Sequence, residues 1–158
     1  MSEKVPMTRA GKTMLEAELK RLMHVERPQV IKAIEEARGH GDLSENADYD
    51  AAKEKQAFVE SRISDIQGKL ANAEVVDTES LKSDRVIFGA HVVLLDLESD
   101  DQISYQIVGE DEADVKRGKI SVFSPLARSI IGRKKGESIE FKSPKGEKEY
   151  EIVDFYFK

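Results

Sequence analysis

Four carboxylates, Asp42, Glu45, Asp48 and Asp50, fall close together in the chain, with Arg38 ahead of them and Lys53 and Lys55 behind. Two kinds of chemistry suit this pattern. Asp42-Leu43-Ser44-Glu45 has the spacing of a capping box, in which the first side chain accepts from a backbone N–H at a helix start and the fourth reaches back. Acids there also favour the positive end of the helix dipole. The alternative is that Asp42 and Glu45 share in holding a hard cation such as Mg²⁺, which takes one or two carboxylates from a protein and keeps several waters. Two acids without a cage hold that ion weakly, so a partner or substrate must complete the shell. Such a site works in trans. The neighbours divide in the same way. Arg38 near a helix end favours the dipole and Lys53 is one of many solvated lysines, or both touch phosphate. Tyr49 stacks on a base or packs between helix ends, and Ser44 and Asn46 orient water or cap.

The elements that must position these residues are two helical arms. From Thr8, a candidate N-cap, to about Asp77 the apolar residues recur with helical period, interrupted once. Leu15, Leu19 and Leu22 step by four and three, and the stripe resumes at Val30, Ile34 and Ala37 with Glu26 at the intervening position. Consecutive steps of four are a stutter, and Pro28 beside it lacks a backbone donor, so a local kink is expected there. The second arm is regular: Ala52, Gln56, Val59, Ile63, Ile66, Leu70 and Ala73 alternate steps of four and three, a coiled-coil seam with one polar member at Gln56. Gly39 and Gly41 can end the first arm, and Asp42, Ser44 and Asn46 can begin the second. So short a connection makes the arms antiparallel neighbours. An arm of about 28 residues extends roughly 40 Å. Such a rod has little core of its own.

After Asp77 the period changes. Residues 90–96, 102–109, 119–123, 137–143 and 147–157 are rich in Val, Ile, Tyr and Phe and are separated by turn signals such as Ser99-Asp100-Asp101 and Pro144-Lys145-Gly146, the pattern of strands. Residues 124–132 read as one short helix, with Ser124 as cap, Pro125 at its first position and Gly132 at its exit. The expected fold is therefore α+β: an antiparallel two-helix coiled-coil hairpin over residues 1–77, a linker at 78–83, and a small sheet domain with one helix over 84–158.

Composition narrows the function. The 158 residues include no cysteine, which excludes disulfides, thiol nucleophiles and thiolate zinc sites. His24, His40 and His91 lie too far apart in sequence to show a metal-ligand spacing. The net charge of −6 repels nucleic acid, so any contact with a polynucleotide must be local or made through a partner. No apolar run approaches the roughly 18 residues of a membrane span, and the start MSEKVPMTRAGK lacks a signal-peptide core. A monomer in the cytoplasm, without a membrane, is expected.

Met7-Thr8-Arg9-Ala10-Gly11, Glu26-Arg27-Pro28, the run from Ala37 through Asp42-Leu43-Ser44-Glu45-Asn46 to Tyr49, and Gly118-Lys119-Ile120-Ser121-Val122-Phe123-Ser124-Pro125-Leu126 together resemble the Gre transcript-cleavage factors of bacteria, and more their GreA than their GreB branch. The match runs in order along nearly the whole chain; Ala127 departs from a glycine common at that place. The resemblance implies a transcription elongation factor whose coiled coil enters the secondary channel of backtracked RNA polymerase. There, acids corresponding to Asp42 and Glu45 would help the polymerase hold a second Mg²⁺ and position water for endonucleolytic cleavage of the RNA. The ion would be shared with the polymerase active site and not bound tightly by the factor alone. Such a protein stimulates the hydrolytic activity of polymerase and is not itself an enzyme. The resemblance further implies contact of Arg38 and Lys53 with the extruded RNA 3′ end. It also implies an FKBP-like sheet domain that binds the polymerase rim through Phe123, Ser124, Pro125 and Leu126, a segment that otherwise reads as an ordinary packed turn. The alternative within the same resemblance is a channel-binding inhibitor or regulator that stimulates no cleavage. A prolyl isomerase with a helical handle lacks support from any evident aromatic pocket, and a plain structural coiled coil has no use for the acid and base pattern at its tip.

Overall fold

The computed structural model describes residues 4–42 and 46–158. The chain divides into two compact units, one within Lys12–Ala73 and one formed by Lys4–Gly11 together with Glu74–Lys158.

The first unit is helical. Helix α1 (Arg9–Arg21) passes through a π-helical turn (Leu22–Glu26) into α2 (Arg27–Arg38), and α3 (Ala47–Ala71) forms the second arm. The π turn is the structural form of the interruption expected near Pro28. The Arg27 N–H reaches back five residues to the Leu22 carbonyl, so the extra residue of the stutter is absorbed in one wide turn. Pro28 then falls in the first turn of α2, directly after the π turn. The seam buries Val30, Ile34 and Ala37 of α2 and Ala52, Val59, Ile63 and Ile66 of α3, while Gln56, its polar member, is half-buried. A two-helix seam leaves much of each helix in water, and ion pairs flank it. Arg27 donates to both carboxylate oxygens of Glu60 at 2.7 and 2.8 Å. Arg62 grips Glu18 in the same two-pronged manner at 2.8 and 2.9 Å.

The second unit holds a five-stranded sheet in the order β5-β4-β3-β7-β6, built from β3 (His91–Asp96), β4 (Gln102–Val108), β5 (Lys119–Ser121), β6 (Ser138–Ser143) and β7 (Gly146–Tyr156). All pairs are antiparallel except β4 with β5, where Ile107 faces Ile120 in parallel register. Helix α4 (Pro125–Ile130) buries Ala127 and Ile130 completely against Val92, Leu94, Ile107 and Ile152. Each strand and the short helix fall where alternation and turn residues place them. Between Val76 and His91 there is neither helix nor strand, yet Val86 is fully buried and its N–H donates to the Arg133 carbonyl at 2.8 Å.

The ends of the helical region depart from expectation. Val5–Thr8 is a strand, β1, and Ala73–Val76 is a strand, β2, paired with it; α3 stops at Ala71. Thr8 does cap α1, its Oγ1 accepting from the Gly11 N–H at 3.0 Å. The same hydroxyl donates to the buried carboxylate of Glu112, which also lies 3.7 Å from the Lys119 ammonium. Among the described residues no helix is long and apolar enough to cross a membrane.

Candidate functional site

The hairpin tip begins where α2 runs out of carbonyl partners. The Gly39 N–H reaches Glu35 and Glu36, the His40 N–H reaches Ala37 at 3.1 Å, and the Gly41 N–H reaches Arg38 at 3.2 Å. Gly39 keeps a helical φ of −65°. The reversal happens at Gly41, whose φ of +98° is open to glycine and strained for other residues. Asp42 follows immediately and is exposed. Glu45, with Leu43 and Ser44, lies outside the described residues.

Of the residues that could begin the second arm, Asn46 is the one seen capping α3. Asn46 is the N-cap: its Oδ1 accepts from the Tyr49 N–H at 3.0 Å. Its Nδ2 donates to the Ala37 carbonyl of α2 at 2.6 Å. Asp42 stands four positions before that cap, and the rest of the box that begins at Asp42 lies outside the described residues. Asp48 and Asp50 lie in the first turn, where negative charge favours the helix dipole. Asp48 is also 3.6 Å from His40 Nδ1, and both are well exposed.

A solvent-open recess is lined by His40, Asp42, Asn46, Ala47 and Asp48. Its lining brings the carboxylates of Asp42 and Asp48, oxygen donors of the kind that Mg²⁺ prefers, beside the His40 imidazole and the Asn46 amide. Among the described residues no three acids, histidines or cysteines converge into a metal-binding group. Arg38, the last residue of α2, and Lys53, nearly two turns into α3, are both exposed. The Lys53 ammonium donates to Gln56 Oε1 at 3.1 Å, so the polar seam residue anchors a surface cation.

In the sheet unit, Phe123 is 45% exposed and Pro125 is exposed beside it. Ser124 is committed to local structure, its Oγ accepting from the Ala127 N–H at 3.2 Å and donating to the Ser121 carbonyl at 2.7 Å. Leu126 packs partly into the core. Phe123 and Pro125 are therefore the members of this segment presented to solvent. The glycine-to-alanine departure at Ala127 is accommodated by a fully buried place in α4. His91 stacks on Tyr156 with ring centres 5.0 Å apart. Burial, with Lys158 and Lys119 nearby, holds its imidazole below the usual range. His24 and His40 are exposed on the hairpin. Glu112 was not marked by any motif; only its burial beside Thr8 reveals it, as a structural partner.

Comparison with known proteins fits this architecture. Residues 5–75 match the model of the N-terminal domain of the GreA/GreB transcription elongation factors, and residues 81–157 match that of the C-terminal domain. Transcription elongation factor GreA of Trichlorobacter lovleyi is 55% identical over 157 residues, 99% of either chain. That of an Anaeromyxobacter species is 56% identical over 155 residues, covering 98% of this chain and 93% of the relative. A crystal structure of GreA factor homolog 1 of Thermus thermophilus is 28% identical over 98% of this chain and 99% of that one, with a TM-score of 0.45. With both domain models satisfied in order along the chain, it belongs to the GreA/GreB family of transcription elongation factors.

Proposed function

We propose that this elongation factor acts on backtracked bacterial RNA polymerase by inserting its hairpin into the secondary channel and lending Asp42 and Glu45 to a Mg²⁺ ion at the polymerase active site. The result is stimulated endonucleolytic cleavage of the extruded RNA and a new 3′ end in register. When bound, that ion would complete a two-metal pair in which one ion favours the attacking oxygen and the other the leaving oxygen of the phosphodiester. This chain's contribution is to place carboxylates and to draw in the RNA. Arg38 and Lys53 flank the acids as exposed cations and would hold phosphates of the extruded 3′ end. Phe123 and Pro125, with Ser124 and Leu126 shaping the turn beneath them, would form the contact with the polymerase rim. Catalysis belongs to the polymerase, and the setting is the cytoplasm where transcription occurs.

The observation that carries this reading is the placement of Asp42: it is exposed immediately after the Gly41 reversal and lines a solvent-open recess with Asp48 at the hairpin end. The test is single-turnover cleavage in halted, backtracked complexes with wild type, Asp42→Asn and Glu45→Gln. Each variant is expected to fold and bind polymerase yet lose most stimulation, since a neutral amide is a poor ligand for a hard cation. Full stimulation by both would reject the proposal. Polymerase binding without cleavage by the wild type would instead make the chain a channel-bound regulator.

A further inference from the structure

Asn46 is the one buried polar side chain among the described residues of the hairpin unit. Its amide is used in two directions. The carbonyl oxygen closes the first turn of α3 on the Tyr49 N–H, and the NH₂ group reaches the Ala37 carbonyl in the last turn of α2. The partners fix the amide orientation: reversed, it would set oxygen against oxygen and N–H against N–H. A helix cap needs only an acceptor, which Ser, Thr and Asp supply equally well. The second bond needs a donor with amide reach, so capping alone does not account for asparagine.

That second bond joins the two roots of the tip across nine positions, a stretch that contains Arg38, Asp42 and Glu45. We infer that Asn46 is a positioning residue for the tip acid Asp42: its Ala37 bridge fixes the loop roots and thereby how Asp42 is presented to the shared cation. The inference rests on the metal-lending reading above. Ligands held in place before binding spare the cost of ordering them at that moment. Loss of the bridge should therefore appear as a greater need for Mg²⁺ and leave the grip on polymerase intact.

The decisive variant is Asn46→Ser, which retains a cap and lacks the reach to Ala37; Asn46→Ala removes both. The full chain is assayed on backtracked polymerase across a Mg²⁺ titration, with Asp42→Asn alongside. Asn46→Ser is expected to keep its far-UV circular dichroism and to bind polymerase within about twofold of wild type. At limiting Mg²⁺ its cleavage rate should fall by between about ten- and a hundredfold, the scale of a ligand misplaced by an ångström. Saturating Mg²⁺ should restore it. A wild-type Mg²⁺ requirement in Asn46→Ser, a loss that Mg²⁺ does not restore, or weakened polymerase binding overturns the inference. If Asp42→Asn is defective while Asn46→Ser is not, only this inference falls. If Asp42→Asn cleaves like wild type, the metal role falls and this inference falls with it.

Discussion

Gly39 and Gly41 are two residues apart at the tip, and replacing each by alanine should have different consequences. At Gly41 a new Cβ would meet nothing within 4 Å, so no collision opposes it. Its backbone sits at φ +98°, where an L side chain is disfavoured by roughly 1–2 kcal/mol. Gly39 has a helical φ of −65°, and its Cβ would lie 3.2 Å from the Glu36 carbonyl, a tight approach. There alanine restricts the unfolded chain and favours helix by up to about 1 kcal/mol, a gain partly offset by that crowding. Gly41→Ala should therefore be about 1–2 kcal/mol less stable than Gly39→Ala, with Gly39→Ala near or slightly above wild type. Urea titrations of the full chain, followed by far-UV circular dichroism, measure the difference. The functional consequence is sharper, because Gly41 adjoins Asp42: Gly41→Ala should lose cleavage stimulation that Gly39→Ala largely retains. Equal stability of the two variants, or a larger loss at Gly39, would refute the assignment of the chain reversal to Gly41.

Other consequences concern the two units and the RNA. Thr8→Val removes both the α1 cap and the hydroxyl partner of buried Glu112, and should cost about 2–3 kcal/mol in urea, whereas Thr8→Ser should cost far less. The hydrogen bond from Arg62 holds the Glu18 carboxyl below its ordinary value of 4.5, with burial opposing. A lowered folded value means that the pair's contribution is fully present above the unfolded pKa and is lost as pH falls through the folded one. Both side chains are about a third exposed, so that contribution is only about 0.5 kcal/mol. Acid titration of Arg62→Met should show a correspondingly shallower loss of stability below pH 4.5 than wild type. Replacing Arg38 and Lys53 together by alanine should weaken capture of backtracked RNA. The salt dependence of capture should flatten by about 0.7 in log–log slope for each phosphate no longer neutralised, and an unchanged slope would remove both residues from the RNA-binding surface.

The hairpin seam was legible because burial imposes a period on sequence: Val59, Ile63 and Ile66 recur as a two-helix interface requires, and they are buried. The break near Pro28 was legible for the same reason, although sequence could not choose between a kink and a π turn, since both absorb the same register error. The sheet strands were readable from β-branched alternation. The pairing of Val5–Thr8 with Ala73–Val76 was not, because Thr8 has the chemistry of a cap and Ala73 extends the heptad. Only a partner distant in sequence makes those ends strands. At the tip, Asp42-x-x-Glu45 and Asn46 competed as helix starts with similar local chemistry. What decided in favour of Asn46 was a bond to Ala37, which forms only once the arms are side by side. Buried Glu112 was hidden for a similar reason: its charge reads as surface until Thr8 and Lys119 are brought to it.

The central claim is that a carboxylate on the hairpin tip becomes a ligand of an ion at another protein's active centre. The most direct measurement is the Mg²⁺ concentration giving half-maximal RNA cleavage by backtracked polymerase, taken without factor, with wild type and with Asp42→Asn, each factor at a saturating level. The account predicts that wild type lowers the requirement and that Asp42→Asn leaves it near the factor-free value while still occupying the polymerase. An identical Mg²⁺ requirement for wild type and Asp42→Asn would contradict it.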